Sequence, residues 1–429
     1  MIFSLDVRRA RKGDCLLLHY GTAANPRVIL IDGGPKDVYK PFLKPRLEDL
    51  RDRRAPGQPL LVDMVMVSHV DDDHIQGILD LARELRDAPG TPLVQVARLW
   101  HNSFDNILGK SPKELTAAVT AQFGAAALSG DLPADASIDM GASADDEEEE
   151  IARASLMVLA SIAQGSKLRG DAKALGWAVN PEANGKLILA AKDPVDIGHG
   201  LRFTVAGPQQ PELKKLQQAH DKWVAAQKKK KKKDPQAALA AYVDQSVPNL
   251  SSIVVLAECD GKRMLLTGDA RGDKILAGLE KSGALKKGGK MHVELLKVPH
   301  HGSSNNLEED FFRRITADHY VFSGDGEHGN PERETLEMLR KARKNSPFTI
   351  HLTYPVAEID AGRKADWQTQ QAKERAKKKK NGKIKVREDW APAKHAIAPV
   401  LAQLAAGQNI VVGDGAAAHV IDLGDPLGY

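Results

Sequence analysis

Short apolar runs that end at glycine, aspartate or histidine recur along the chain, and each predicts a β-strand that stops at a tight turn. In the first 105 residues the predicted strands are Phe3–Val7, Cys15–Tyr20, Val28–Ile31, Leu61–Val67 and Val94–Trp100. The later ones are Leu187–Ala190, Leu201–Ala206, Ser252–Leu256, Arg263–Leu266, Val293–Val298, Tyr320–Ser323, Phe348–Thr353 and Ala418–Leu423. The run Leu61–Val67 is almost entirely apolar, so we expect both of its faces to be covered.

Helical segments separate these strands. Apolar residues at helical spacing predict a helix over Ile75–Leu85, and Ala-rich stretches predict helical insertions at residues 106–198 and 209–245. The chain therefore divides into four parts. These are a first half of the core domain (1–105), the first insertion (106–198), a second half (199–355) that contains the second insertion, and a Lys-rich C-terminal segment with a helix and closing strands (356–429).

Three runs of like charge stand out. The acidic run Asp145–Glu150 precedes a helical pattern, and we interpret it as a helix N-terminus favoured by the macrodipole. The lysine runs Lys228–Lys233 and Lys377–Lys380 fit either solvated surface or contacts to a phosphate backbone. The insertions also offer surfaces for a protein partner.

Composition limits the classes of protein to consider. The 429 residues carry a formal charge of only +4 and are 42% hydrophobic, which is ordinary for a globular chain. Two cysteines, Cys15 and Cys259, make no disulfide framework and fit a reducing compartment. No apolar stretch approaches membrane-spanning length, so we expect a cytoplasmic protein without a membrane partner.

The densest chemistry lies directly after the predicted strand Leu61–Val67, in the sequence Ser-His-Val-Asp-Asp-Asp-His that ends at His74. Imidazole nitrogens and carboxylate oxygens together suit a divalent ion. Alternate residues of an extended segment point the same way, so His69, Asp71 and Asp73 are expected on one face. His74 follows at the turn into a helix. The segment predicts a metal site at a strand end.

Three further motifs follow strands in the same manner: Ile-Asp-Gly-Gly with Asp32, Leu-Thr-Gly-Asp with Asp269, and Val-Pro-His-His-Gly-Ser with His300 and His301. In this order, with the His69–His74 segment, they resemble the metallo-β-lactamase superfamily, and in particular its ComEC-type, competence-protein-like branch. The resemblance covers residues 1–105 and about 200–335. It implies an α/β fold, a four-layer αββα sandwich with helical insertions, and two divalent metal ions (zinc or manganese) at one edge of the sheets.

The resemblance also implies roles for single residues. His69 and Asp71 correspond to ligands of one metal, Asp73 and His74 to ligands of the second, and Asp269 to a bridge between them. His300 completes the ligand set, and His301 is either a ligand or a proton donor. Three residues, Asp32, His101 and Asn330, are expected to support the ligands and the substrate, and three are expected to act in catalysis: Asp73, His301 and His328.

The chain departs from the family pattern at three places. Asp71 stands where the superfamily has its second histidine, and Asn330 stands where competence-type proteins have a histidine, for which His328 is expected to compensate. No histidine occupies the third-motif position, where His199 is the nearest candidate and reads as a surface residue. These changes make the site richer in oxygen, which tilts the expected metal from zinc toward manganese.

Two metals about 3.5–4 Å apart activate water and stabilise the attacking and leaving oxygens of a phosphoryl transfer. The leading hypothesis is therefore a metal-dependent phosphodiesterase that uses a metal-bound hydroxide. The resemblance to competence-type proteins implies that it is a nuclease, with DNA or RNA as its substrate. A second hypothesis keeps the site and changes the substrate to a cyclic nucleotide, a lactone or a thioester. A third is a binding or sensor module whose depleted ligand set no longer catalyses.

Overall fold

The structure is a computed structural model that describes residues 1–87, 90–103, 107, 163–211, 213, 251–344, 346–380, 382, 384–415 and 418–429. It confirms the mixed α/β class, with two large sheets flanked by helices. Much of the insertion predicted at 106–198 and nearly all of the one at 209–245 lie outside the described residues. The same holds for the acidic run Asp145–Glu150 and the lysine run Lys228–Lys233.

The first large sheet has seven strands in the order β17-β1-β2-β3-β5-β7-β8, antiparallel from β17 to β3 and parallel from β3 to β8. Its strands are β1 (Ile2–Val7), β2 (Leu16–Thr22), β3 (Asn25–Ile31), β5 (Met64–Val67), β7 (Arg98–His101), β8 (Ala178–Val179) and β17 (His419–Asp422). A separate parallel pair consists of β4 (Leu60–Val62) and β6 (Val94–Val96).

The second large sheet has eight strands in the order β16-β15-β14-β13-β12-β11-β10-β9. They are β9 (Val195–Gly198), β10 (Leu201–Gly207), β11 (Val254–Cys259), β12 (Lys262–Leu266), β13 (Met291–Lys297), β14 (Ile315–Phe322), β15 (Thr349–Leu352) and β16 (Asn409–Val412). The predicted hairpin across Asp260 and Gly261 is confirmed, since Cys259 pairs antiparallel with Lys262. From β12 to β16 the strands are parallel, so their carboxyl ends meet at one edge.

In the described part of the chain, the α-helices with both ends defined are α1 (Lys44–Arg54), α2 (Asp72–Asp87), α3 (Gly272–Ser282), α4 (Glu309–Arg314), α5 (Arg333–Ala342), α6 (Val356–Lys380), α7 (Pro392–His395) and α8 (Ala398–Ala405). A further helical segment covers residues 163–174. Among the described residues, no helix combines the length and the apolar character that crossing a bilayer requires.

Three apolar clusters hold these elements together. One contains residues of both large sheets, for example Phe3 and Leu18 of the first with Phe203 and Leu295 of the second. Another joins the first sheet to α1 and α2, and a third joins the second sheet to α3, α5 and α8. Each large sheet therefore turns one face toward the other sheet and its opposite face toward helices.

The predicted strand Leu61–Val67 is in fact two strands, β4 and β5, which belong to different sheets. The break falls at Asp63, whose buried carboxylate accepts hydrogen bonds from the Tyr20 hydroxyl at 2.6 Å and from Arg27 at 2.8 Å. A charged side chain that is satisfied in this way fixes the chain direction there, and a single straight strand would break both bonds.

The strand predicted at Leu187–Ala190 is not formed. The backbone of Ile188 instead binds the side chain of Asn102, which donates to its carbonyl at 2.9 Å and accepts from its N–H at 2.8 Å. An amide side chain thus takes the place of a neighbouring strand, which apolar content alone does not reveal.

Candidate metal centre

The His69–His74 segment lies at the carboxyl end of β5, where the chain turns into α2. Helix α2 begins at Asp72, so Asp73 and His74 occupy its first turn rather than an extended continuation of the strand. His69, Asp71 and Asp73 each offer a ligand atom within 4.8 Å of the others, although they are not alternate residues of one extended segment. The carboxylates of the first turn also favour the helix electrostatically.

The second sheet contributes three more side chains to the same place. Asp269 follows β12 across Gly268, and His300 and His301 follow β13 across Pro299. His300 and His301 have φ of 48° and 53°, a left-handed conformation that non-glycine residues seldom adopt. Two such residues in succession turn both rings back toward Asp269, and strain of this kind concentrates at functional sites.

Asp269 stands between two pairs of histidines. Its Oδ1 lies 3.3 Å from Nε2 of His74 and 3.4 Å from Nε2 of His301. Its Oδ2 lies 3.7 Å from Nε2 of His69 and 3.6 Å from Nε2 of His300. The two oxygens of one carboxylate therefore face two separate sets of ring nitrogens.

The remaining carboxylates complete these two sets. Oδ2 of Asp73 lies 3.9 Å from Nε2 of His74 and 3.7 Å from Nε2 of His301, and Oδ2 of Asp71 lies 3.5 Å from Nε2 of His69. Asp73, His74, Asp269 and His301 offer one atom each within 4.8 Å of one another. The structure thus brings together all six predicted ligands, and His301 joins them.

The facing atoms fit a cation. Nε2 of His69, His74 and His301 and Oδ1 of Asp269 are buried and have no hydrogen-bond partner in the part of the chain that the structure describes. Buried polar atoms are rarely left so. Separations of 3.3–3.4 Å exceed a charge-assisted hydrogen bond, whereas two atoms about 2.1 Å from an ion at a tetrahedral angle lie about 3.4 Å apart.

The electrostatics agree with this reading. Burial raises the pKa of Asp269, but the imidazoles of His300 and His301 outweigh it and hold that pKa well below its usual range. Burial lowers the pKa of His301, but the carboxylates of Asp269 and Asp14 outweigh it and raise that pKa to about 10. The field at the rings is strongly negative, which is the field that attracts a cation.

Asp32 lies behind two of these rings, those of His74 and His69. Its carboxylate accepts from the Ser68 N–H and hydroxyl, both at 2.7 Å, and lies 2.8 Å from Nδ1 of His74. The Ser68 oxygen in turn lies 3.0 Å from Nδ1 of His69. With Nδ1–H donating on both rings, each Nε2 keeps its lone pair for the centre.

A similar support behind His301 was not predicted from the sequence. The Ser323 hydroxyl donates to Asp14 at 2.5 Å, and its oxygen lies 2.9 Å from Nδ1 of His301. Asp14 is also 2.6 Å from the ammonium group of Lys297, which is fully buried. The sequence did hold one sign of this support, which is Lys297 in an apolar strand. A lysine is almost never fully buried unless it is paired.

Three predicted residues lie outside this ring of ligands. The side chain of His328 is 63% exposed, and its Nε2 lies 3.3 Å from the Lys12 ammonium group. Nε2 of His101 lies 3.2 Å from the carbonyl oxygen of Gly165, on the helical segment 163–174. Asn330 is buried, and its backbone carbonyl accepts from Gly326 at 3.0 Å. His199, which was predicted to be a surface residue, has a left-handed φ of 52°.

Two glycines hold the support of Asp32 against the helix that carries His74. A Cβ at Gly77 would lie 2.0 Å from the carbonyl oxygen of Gly33, which no real contact permits. The backbones are also joined by hydrogen bonds from Gly33 to His74 and from Gly77 to Gly34, at 2.7 and 3.1 Å. The close approach leaves no room for a side chain at either glycine.

No protein-family model matches the chain. The chain is similar over short stretches to Microtubule-associated protein 1A of Rattus norvegicus, at 33% identity over 107 residues, which is 24% of this chain and 4% of the relative. It is similar to Microtubule-associated protein futsch of Drosophila melanogaster, at 39% identity over 74 residues, or 16% and 1%. The chain thus matches only a few per cent of these relatives' length, and such matches assign it to no family.

Proposed function

We propose that the chain is a metal-dependent hydrolase of phosphodiester bonds, with a metallo-β-lactamase-like four-layer αββα fold of the competence-protein type. The four sequence motifs that carry this resemblance meet around Asp269. One apolar cluster lies between the two large sheets, and each of the other two lies between one sheet and its helices, which gives the layer order helices, sheet, sheet, helices. The observation that carries the proposal is a group of four buried atoms at this carboxylate that have no hydrogen-bond partner among the described residues: Nε2 of His69, His74 and His301, and Oδ1 of Asp269 itself.

Two divalent ions, zinc or manganese, fit the two sets of ligands. Asp73, His74 and His301 would hold one with Oδ1 of Asp269, and a second set, His69, Asp71 and His300, would hold the other with Oδ2. Such a pair supplies an activated water and charge neutralisation at the phosphoryl oxygens. In this arrangement His301 is a ligand rather than a proton donor.

The chain's own residues bind, orient and exclude water. Asp32 with Ser68, and Asp14 with Ser323, fix the tautomers of the buried histidines so that every Nε2 faces inward. The partly exposed carboxylates Asp71 and Asp73, with side-chain exposures of 27% and 23%, mark the solvent side from which a substrate enters.

The test uses the purified full chain, stripped with a chelator and reloaded with manganese or zinc. End-labelled single- and double-stranded DNA and RNA are compared with bis(p-nitrophenyl) phosphate as a small diester. His74→Ala is the site variant, and the matched control is His292→Ala, because His292 is 43% exposed at the opposite end of β13.

We expect metal-dependent cleavage by wild type and by His292→Ala, and none by His74→Ala. Cleavage of the small diester without any polymer cleavage would reassign the substrate to a small molecule. If two ions bind and no diester is cleaved, lactones and thioesters become the substrates to test. If neither binding nor cleavage occurs, the proposal is wrong and a binding module remains.

A further inference from the structure

A cavity of about 450 Å³ lies between the loop Gly324–Gly329 and helix α6. One loop links it to the metal centre. The loop before β2 rests on Asp73, since a Cβ at Gly13 would lie 1.8 Å from the Asp73 carbonyl oxygen. From this loop, the Lys12 ammonium group reaches Glu327 at 2.8 Å and His328 at 3.3 Å, and both of these residues line the cavity.

The cavity continues along one face of α6. Gly362 packs against the loop, where its Cβ would lie 2.5 Å from the Asp325 carbonyl oxygen. Asp366, Thr369 and Lys373 follow along the cavity wall at spacings of four, three and four residues, which is a single helical stripe. Lys377 comes four residues later on the same stripe, in the basic end of the helix.

The charges change along α6. Beside the loop the cavity is lined by Asp325, Asp366 and Glu327, of which Glu327 is paired with Lys12 and Arg11, and toward the end of the helix come Lys373 and Lys377. Carboxylates repel phosphates but accept hydrogen bonds from the amino groups of bases and from sugar hydroxyls. Lysines on a helix face bind phosphates.

We infer that this stripe of α6 binds a nucleic-acid strand beyond the phosphate that is cleaved, with a nucleoside in the cavity and later phosphates at Lys373 and Lys377. The inference rests on the proposed function. From Gly362 to Lys377 the helix rises about 22 Å. That distance corresponds to about six nucleotides of a stacked strand at 3.4 Å each.

The test measures binding apart from cleavage. Fluorescence anisotropy with labelled single-stranded oligonucleotides of 3 and 20 nucleotides is recorded in a chelator, so that no hydrolysis occurs. The variant is Lys373→Gln/Lys377→Gln. The matched control, Lys364→Gln/Lys378→Gln, removes the same charge from the same helix, about 180° and 140° round the axis from Lys373. Both control lysines are exposed.

We expect the stripe variant to weaken binding of the 20-mer about tenfold at 0.1 M salt and to reduce the slope of log Kd against log salt by about 1.4. Binding of the 3-mer and hydrolysis of bis(p-nitrophenyl) phosphate stay unchanged. If the control variant loses as much affinity for the 20-mer, the lysines attract the strand without a defined path. If the stripe variant binds the 20-mer as tightly as wild type does, the stripe does not contact the strand. Either result overturns the inference. If the 20-mer binds through the stripe but no phosphodiester is hydrolysed, the proposed function is overturned and the inference about binding stands.

Discussion

The buried ion pair between Lys297 and Asp14 gives a sharp test of how the centre is supported. The ammonium group and the carboxylate are 2.6 Å apart, with side-chain exposures of 1% each. In Lys297→Met the carboxylate keeps its burial and loses its ion partner. Removal of one member of a buried pair costs about 3–5 kcal/mol, because the other charge stays uncompensated.

The double variant Lys297→Met/Asp14→Asn removes both charges. We expect it to recover at least about 2 kcal/mol relative to Lys297→Met alone, since no unpaired charge remains. The free energy of unfolding is measured by urea denaturation in a chelator, followed by circular dichroism and tryptophan fluorescence. The control is Lys262→Met on the adjacent strand β12, where a 48% exposed side chain predicts a cost within about 0.5 kcal/mol.

Two results would refute this reasoning. One is a cost below about 1 kcal/mol for Lys297→Met. The other is additivity of the two substitutions, because the argument requires that each charge be stabilised by the other. In either case the lysine would be a packing residue and not the partner of Asp14.

Three further predictions concern single positions. Burial lowers the pKa of His351 from 6.5 to about 3, so the unfolded chain takes up this proton at a higher pH than the folded chain does. The free energy of unfolding therefore falls as the pH drops below 6.5, by roughly 2–3 kcal/mol at pH 4.5. In urea titrations, His351→Gln is expected to remove this pH dependence. Gly77→Ala, although alanine favours a helix, is expected to lower metal affinity at least tenfold by calorimetry because its Cβ displaces Gly33; unchanged affinity would contradict this. Asp32→Asn keeps the left-handed backbone but loses the carboxylate at His74, and we expect a 10–100-fold loss of metal affinity in chelator competition.

Much of this centre was predictable because its ligands follow apolar strands. Strand ends are readable from hydrophobic runs, and the carboxyl ends of parallel neighbours such as β12 and β13 meet at one edge. The proximity of His69, Asp71 and Asp73 was expected from alternation along a strand, but that reason was wrong, because α2 begins at Asp72. The family, the reaction and the nucleic-acid substrate stay predictions.

What the sequence did not reveal depends on partners far along the chain. Asp14 precedes Lys297 and Ser323 by about 300 residues, and nothing local distinguishes it from any turn aspartate. The same holds for Asp63, whose partners Tyr20 and Arg27 lie on strands of the first sheet and split one apolar run into two strands. Buried polar contacts of this kind are set by tertiary structure rather than by local pattern.

The position of Asp269 between the two sheets also has a consequence for unfolding. His74 lies in α2, which packs on the first large sheet, and Asp269 follows β12 of the second, 195 positions later in the chain. An ion held by both is a cross-link, and closing a loop of that length opposes separation of its ends by on the order of 5 kcal/mol of chain entropy. If the proposed ions bind, metal content would also govern how firmly the two sheets stay together, and a chelated chain should be cleaved faster by proteases between its sheets.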